Sequence, residues 1–596
     1  LNLTRFKYLP VIGTVKNYKA EYFRKDLIAA LTVAVVAIPQ SMAYALIAGV
    51  NPVYGLYTAI VSTIISSVFG SSKHLIAGPT NAIALLVAGS MRNYMGLDNA
   101  YQLLFLMTFI VGILQILYGV MRLGKVINFV SHTVIVGFSA GAGLLIALGQ
   151  LSTLLGMQIK NSAQMVTTEK FYYVITHLSQ TNLYALAMGV MTIAIMLICK
   201  RVNKNLPGAL IGIIIPIIFI LVFSLESKGV KLTGNIPSSL PPFKMVQFSF
   251  DSIQKVFSGA IAISIIGLVE AISISKTIAS TSRQKIDANQ EFIAQGLGNA
   301  GSAFFQCFPG SGSFSRSAIN YHNGAVTRFA GIMSGVVVAL VLVFFAPYAK
   351  YIPNPCLAGV LILTGYGLMD KHEIRKVLKV GKYKSDSIAM CVTFLATILS
   401  PDLDYAIYLG IALSIILYLR DTNKVGVKIL IPTQGKDSQI IEQEVRSVKE
   451  KADILIVQLE GNLYFGSAAD LEEKLNDLVD SSKVFILRMK YVTSIDLTAL
   501  NAIKVFIRTV RENGGTLIMS GVKSEHKSLL ENTNLVSDVE SGNIFMTEND
   551  IFASSTNALE RARAVLNREL KDKVEKTAAH SLIESVSTFK GTSTSF

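Results

Sequence analysis

The sequence predicts a polytopic α-helical membrane protein with a small α/β domain attached at its C-terminus. Of its 596 residues, 51% are hydrophobic and only 16% charged, against about 25% charged in a typical soluble chain. The deficit is confined to residues 27 to 420, where apolar runs recur near the roughly 20 residues that carry a helix across the hydrocarbon core. From about 434 onward the pattern changes to short β-rich runs alternating with amphipathic helices. The chain therefore divides into a cytoplasmic N-terminal segment (1–26), a transmembrane domain (27–420), a linker (421–433), the α/β domain (434–566) and a tail (567–596) expected to be disordered.

The apolar runs read as about fourteen spans, at 27–48, 53–70, 75–90, 101–120, 126–151, 182–199, 206–225, 253–275, 291–307, 311–321, 324–346, 356–370, 384–399 and 403–420. Two of them, 75–90 and 311–321, are too short or too polar to cross as plain helices. Both open on Pro and Gly: Ala77-Gly78-Pro79-Thr80-Asn81 and Phe308-Pro309-Gly310-Ser311-Gly312. Backbone without helical pairing is tolerated at membrane depth only inside protein or against a water-filled cavity, so both are expected to be broken helices that line a site. Orientation follows from the basic clusters. Arg24 and Lys25 precede the first span, and Lys200, Arg201 and Lys204 follow the sixth. Arg283 and Lys285 follow the eighth, and Arg375, Lys376, Lys379 and Lys382 the twelfth. An even number of spans with both termini inside puts every cluster in the cytoplasm. A multi-pass protein of the plasma (cell inner) membrane is expected.

The two halves share a pattern. Gln40 interrupts one apolar run and Glu270 another, 230 residues later; Pro79 and Pro309 are separated by the same 230. Interruptions at corresponding positions of two halves are the best sequence pointer to a binding site built from repeats. With about seven spans per half, the second half enters the membrane from the opposite side, which makes a 7+7 inverted repeat. Gly and Pro are common in membrane helices generally, and coincidence is the competing reading. Given the repeat, short helices beginning near Thr80 and Phe314 meet N-terminus to N-terminus near the midplane. Their unpaired N–H groups and partial positive charges make an anion site. Thr80, Asn81, Ser311, Ser313, Ser315 and Ser317 add short hydrogen-bonding side chains and Arg316 a fixed cation; for any single serine, close helix packing is the plainer reading.

An ionisable residue inside a span is a functional hypothesis by default, and Glu270 and Arg316 stand out. Burial favours a neutral carboxyl and a nearby cation a charged one. Glu270 could thus exchange a proton as its distance from Arg316 or a bound anion changes, which makes it the candidate coupling residue. A static Glu270–Arg316 pair that holds the fold is the alternative.

The net charge of +15 is what cytoplasmic loops supply; no basic face interleaved with aromatics follows it, and nucleic acid is not expected as a partner. Cys199, Cys307, Cys356 and Cys391 lie in or beside apolar runs without metal-ligand spacing or a disulfide framework. No nucleotide loop, metal cluster or nucleophile triad argues for an enzyme, no cofactor is expected, and no cleavable signal peptide is evident.

The segment from Ile38-Pro39-Gln40-Ser41-Met42-Ala43-Tyr44 through Asn51-Pro52-Val53-Tyr54-Gly55-Leu56-Tyr57 closely resembles the signature of the SulP family of sulfate permeases and related anion transporters. So do Gly78-Pro79-Thr80, the Glu270 segment and Phe314-Ser315-Arg316-Ser317. The resemblance covers nearly the whole chain. It implies an inverted repeat split into a mobile core and a gate, assembled as a homodimer, with the anion between the third and tenth spans. The matching substrate positions are Gln40, Tyr44, Thr80, Ser315 and Arg316, with Asn81 and Phe314 beside them; Glu270 matches the acidic residue given the proton-coupling role. Members also carry bicarbonate, chloride, oxalate or dicarboxylates, some with sodium. The presence of both Glu270 and Arg316 resembles the sulfate/proton type more. The resulting expectation is proton-coupled uptake of a sulfate-like anion by alternating access. The alternatives are an exchanger on the same scaffold, an anion channel, and a membrane sensor or scaffold carrying a signalling module.

In the C-terminal domain, 454–459, 484–489 and 516–519 read as buried strands and 467–479, 496–512 and 524–532 as helices, giving a largely parallel or mixed sheet. It resembles the STAS domain of SulP transporters, itself similar to bacterial anti-sigma-factor antagonists. Tyr491 through Leu500 matches that domain's phosphorylation loop, and Thr498 falls where the antagonists carry their phosphorylated Ser; Leu497 and Ala499 depart from the usual pattern. Thr498 is a candidate regulatory phosphorylation site, with a helix cap contributed by Asp496 as the plainer reading.

Overall fold

A computed structural model describes residues 9–124, 131–159, 165–202, 207–234, 237–379, 384–400, 403–432, 440–445, 452–533, 535–548, 553–568 and 571. The chain forms two compact units, Leu1–Ile415 and Ile416–Phe596. Lys204 and Lys382 lie outside the described residues, as does the expected disordered tail apart from 567, 568 and 571.

The first half of the membrane unit contains α1 (Ala20–Ile47), α2 (Pro52–Phe69), β1 (Ala77–Gly78), α3 (Asn81–Met91), α4 (Ala100–Val120), α5 (His132–Gly149), α6 (Leu183–Val202) and α7 (Gly208–Phe223). The second contains α8 (Phe250–Ser282), α9 (Ala288–Ala303), β2 (Ser311–Gly312), α10 (Phe314–His322), α11 (Phe329–Ala349), α12 (Asn354–Leu368), α13 (Lys384–Leu399) and α14 (Leu403–Thr422). Among the described residues, 7 helices are long and apolar enough to cross a bilayer, and the shorter apolar helices include Asn81–Met91 and Gly208–Phe223. Large apolar side chains such as Ile198, Ile218, Val222 and Phe344 face outward, as lipid contact requires.

Capping sets several helix starts. The Asn51 side chain accepts from Val53 N–H at 3.0 Å with Pro52 at the first position of α2, and Asp287 accepts from the amides of Asn289 and Gln290 to begin α9. Such side chains satisfy donors that the first helical turn leaves unpaired. At Gln40 and Glu270 the polar residue interrupts the apolar run and not the helix, as the unbroken spans 27–48 and 253–275 require: α1 runs through Pro39 and Gln40, and α8 through Glu270. Pro39 removes one backbone donor and Gln40 is polar, but neither ends a helix whose neighbours hold it. The real breaks are at β1 and β2.

The helices fall into two packing groups. Helices α1 to α4 pack mainly with α8 to α11, and α5, α6, α7, α12 and α13 mainly with one another, with α1 also touching α7 and α12, and α3 touching α5. In the first group α4 and α9 approach so closely that a Cβ at Gly112 would lie 2.3 Å from the Ala300 amide nitrogen, and one at Gly296 2.6 Å from the Gly112 carbonyl. Close backbone approach through small residues is how helices gain packing energy in lipid, where apolar burial drives nothing.

The C-terminal unit is a six-stranded mixed sheet in the order β4-β3-β5-β6-β7-β8. Its strands are β3 (Gly426–Pro432), β4 (Ile440–Glu444), β5 (Ala452–Leu463), β6 (Ser482–Ile495), β7 (Thr516–Val522) and β8 (Ile544–Met546). β3 pairs antiparallel with β4 and β5, and β5 through β8 pair in parallel. One face is covered by α15 (Ala468–Asn476), α16 (Leu497–Glu512), α17 (Ser524–Asn532) and α18 (Leu535–Val539), whose Leu471, Ile503, Phe506 and Leu530 meet Phe485 and Leu487 of β6. The other face buries Val484, Ile486 and Ile518 under Ala558 and Ala562 of a helix over 553–568, an element absent from the expectation. The central strands are apolar on both faces because both are covered.

Candidate functional site

The site begins with two polar backbones that have left helical pairing inside the membrane unit. Unpaired amides there cost several kcal/mol each, so each break must find partners. β1 and β2 supply them to each other, antiparallel, with Ala77 opposite Gly312 and Gly78 opposite Ser311. Ser313 N–H extends the pairing to the Ile76 carbonyl at 2.9 Å, and Ile76 N–H donates to Ser317 Oγ at 2.9 Å. Side chains supply the rest. Thr63 of α2 donates to the Ala77 carbonyl at 2.7 Å. Asn299 of α9 accepts from Gly310 N–H at 2.8 Å, donates to the Gly310 carbonyl at 3.0 Å, and donates to Gln115 Oε1 at 2.9 Å. Asn299 was missed in the sequence; its one signal was an amide inside the apolar run that follows the eighth span.

Two short helices leave these strands. In α3 the first turn is capped: Thr80 Oγ1 accepts from Ile83 N–H at 3.4 Å and Asn81 Oδ1 from Ala82 N–H at 2.9 Å. In α10 the N-cap residue Ser313 makes no side-chain cap bond, so the end of α10 presents its first amides with the positive end of its dipole. Phe314 and Ser315, in that first turn, are exposed. Both helices pack on α1 and α8.

The sequence-predicted residues gather around this crossing. Arg316, 0% exposed, turns back from α10 and donates through Nη2 to the Pro79 carbonyl at 2.6 Å, while its Nε and Nη1 have no partner. It lies across Gly78, whose φ of +134° places the backbone where only glycine is at ease. Glu270 of α8 is half-buried, and its Oε2 accepts from Thr80 Oγ1 at 3.3 Å. Glu270 and Arg316 form no ion pair: the carboxylate bonds Thr80, the guanidinium bonds the backbone beside it. Tyr44 is buried within electrostatic reach of both. One turn earlier on the same face of α1, half-buried Gln40 keeps its Oε1 inside without a partner. Thr498 belongs to the other unit, where it is exposed in the first turn of α16, next to the Asp496 cap on Ala499 N–H at 2.9 Å.

The arrangement can hold a small anion. It offers open amides, short hydroxyls, a buried guanidinium with unused donors, and an adjacent carboxylate that no cation neutralises. Among the described residues no group of three His, Cys, Asp or Glu could hold a metal ion.

The sulfate permease family model matches residues 23–393 and the STAS domain model residues 446–551. YvdB of Bacillus subtilis, assigned by name to sulfate transport, is 32% identical over 549 residues, covering 90% of this chain and 99% of YvdB. The High affinity sulfate transporter 2 of Stylosanthes hamata is 28% identical over 574 residues, covering 91% of this chain and 86% of the relative. Murine Slc26a9, an anion transporter solved in the inward-facing state, has the same fold with a TM-score of 0.84 at 20% identity, covering 95% of each chain. The transmembrane domain of the cyanobacterial bicarbonate transporter BicA aligns with a TM-score of 0.59 at 23% identity, over 65% of this chain and 98% of that domain.

Proposed function

The chain belongs to the sulfate permease family and carries a STAS domain, and from that premise we propose that it takes up sulfate or a sulfate-like oxyanion together with protons. The observation that carries the reading is the uncapped N-terminus of α10, with Arg316 buried behind it and Glu270 bonded to Thr80 without a cation partner. An anion docked against the amides of Phe314 to Arg316 and the Ser315 hydroxyl is held by the helix end and by the field of the buried guanidinium. The same anion repels the Glu270 carboxylate nearby, so anion binding and protonation of Glu270 favour each other. Reciprocal coupling of this kind makes the loaded, protonated state the one that changes access. Gln40, Tyr44, Thr80, Asn81 and Phe314 complete the substrate site.

The halves act as a seven-plus-seven inverted repeat of fourteen spans. Supporting this, Thr63 of α2 and Asn299 of α9 do the same work, each pairing the broken backbone of its own half. The group containing α3 and α10 is the mobile core, the group containing α5 and α12 the gate, and the protein is a plasma-membrane homodimer with both termini cytoplasmic. Its domains run 27–420 and 434–566, the second extended at its start by β3 (Gly426–Pro432), which pairs into its sheet, and exposed Thr498 is a phosphorylation site through which the STAS domain is regulated. A bicarbonate exchanger is the second reading, favoured by the fold shared with a bicarbonate transporter.

Radiolabelled sulfate uptake into proteoliposomes, with and without an inward proton gradient, tests the proposal. Stimulation by the gradient is expected. No uptake in either condition by folded protein rules out sulfate and moves the assignment to bicarbonate or dicarboxylate exchange.

A further inference from the structure

A second polar cavity lies away from the crossing, between the two packing groups. It has a volume of about 380 Å³, bounded on one side by the end of α1, by α3 and by Leu403, and on the other by α5 and the helix Thr167–Thr176. That volume is far above the roughly 10–15 Å³ one water needs, and it has room for an anion with part of its hydration shell. Its polar lining includes Arg92, Gln150, Thr167 and Lys170, and among the described residues none that line it is Asp or Glu. The neighbouring Glu169 is occupied elsewhere, accepting from Val166 N–H at 3.0 Å.

Two features point to a ligand. The Lys170 ammonium is half-buried and has no hydrogen-bond or ion-pair partner among the described residues, and burial pushes its pKa down. A partly desolvated cation without an ion-pair partner is stabilised by a bound anion. The second feature is the geometry of α3. Asn81, Leu85, Ala88 and Arg92 recur at helical spacing and share one face. Leu85, Ala88 and Arg92 line the cavity, while Asn81 stands at the crossing. The 11 residues of α3 therefore connect the two places over about 17 Å.

We propose that this cavity is an anion-capture site at the outer mouth of the transport route, taking the small inorganic oxyanion that the protein carries. Lys170 supplies charge, Gln150 and Thr167 hydrogen bonds, and the captured anion moves along the Leu85–Ala88 face of α3 toward Asn81. The inference rests on the reading of the protein as an anion transporter with its basic clusters inside.

The test uses the full chain. Labelled sulfate uptake by intact cells reads the outer face, and uptake by inside-out vesicles reads the inner one. Lys170→Gln is expected to raise the outer KM about fivefold, the scale of one charge contact in a water-exposed cleft, with the inner KM and maximal rate unchanged. Lys170→Arg restores the outer KM. An unchanged outer KM, or equal shifts on both faces, overturns the inference. Wild-type protein that carries no sulfate from either face refutes the substrate reading instead. A readout that does not depend on the carried substrate is labelling of Thr167→Cys by an anionic, membrane-impermeant thiol reagent. External sulfate or bicarbonate is expected to slow it several-fold, and Lys170→Gln to remove that protection; no slowing by either anion overturns the inference.

Discussion

Gly78→Ala tests whether the buried guanidinium holds the crossing of the two broken helices. At φ +134° a side chain strains the backbone, at about 1–3 kcal/mol. The new Cβ would also lie 2.8 Å from Arg316 Nη1, 3.3 Å from Nη2 and 3.4 Å from Cζ, so the guanidinium has to move. Its 2.6 Å bond to the Pro79 carbonyl is then lost. A hydrogen bond to a charged group contributes about 1.5–3 kcal/mol, equivalent to a loss of about 10- to 150-fold in kcat/KM. Uptake of labelled sulfate at subsaturating concentration into proteoliposomes measures it, with size-exclusion chromatography confirming folded protein. Gly324→Ala is the control, because Gly324 also has positive φ (+85°) but nothing lies within 4 Å of its Cβ; it should transport normally. On an Arg316→Ala background, Gly78→Ala should add little, since the shared partner is already gone. Transport by Gly78→Ala within twofold of wild type, or full additivity with Arg316→Ala, would refute the reasoning.

Three further outcomes are expected. Arg316→Ala strands the Pro79 carbonyl and removes the site's cation, so anion binding by calorimetry should weaken at least about 100-fold; unchanged affinity takes Arg316 out of the site. Glu270→Gln keeps a partner for Thr80 but cannot titrate, so binding and counterflow should persist while proton-driven accumulation is lost; intact accumulation removes Glu270 from coupling. Asn299→Ala leaves Gly310 without its side-chain partners, at about 1–3 kcal/mol for each stranded buried group. Its melting temperature should fall clearly in a thermal unfolding assay, and an unchanged one shows that β2 pairs adequately without it.

The broken helices were legible because helix breaking is local. Pro79 and Pro309 each remove a backbone donor next to a flexible glycine, which disfavours helix at that point, and α3 and α10 do begin at Asn81 and Phe314. Gln40 and Glu270 interrupt apolar runs without breaking a helix, for the complementary reason. A single polar side chain changes hydropathy without changing backbone preference, and α1 and α8 run on through both. Similarly, β5, β6 and β7 contain the apolar runs at 454–459, 484–489 and 516–519, whereas the helix over 553–568 is amphipathic and charged enough to pass as a solvated segment.

By itself the sequence determined the membrane class, the attached α/β domain, the positions of the two breaks and the identity of the ionisable pair. Each is set by residue type over a short window: apolar length, Pro–Gly chemistry, or a charge inside an apolar run. Only the tertiary structure decided that Arg316 bonds Pro79 and not Glu270, and that Thr80 is the partner of the carboxylate. It alone placed Asn299 at Gly310, and Arg92 and Lys170 in one cavity. These contacts join residues far apart in the chain, and which donor reaches which acceptor depends on how the helices pack, a relation that local patterns do not encode.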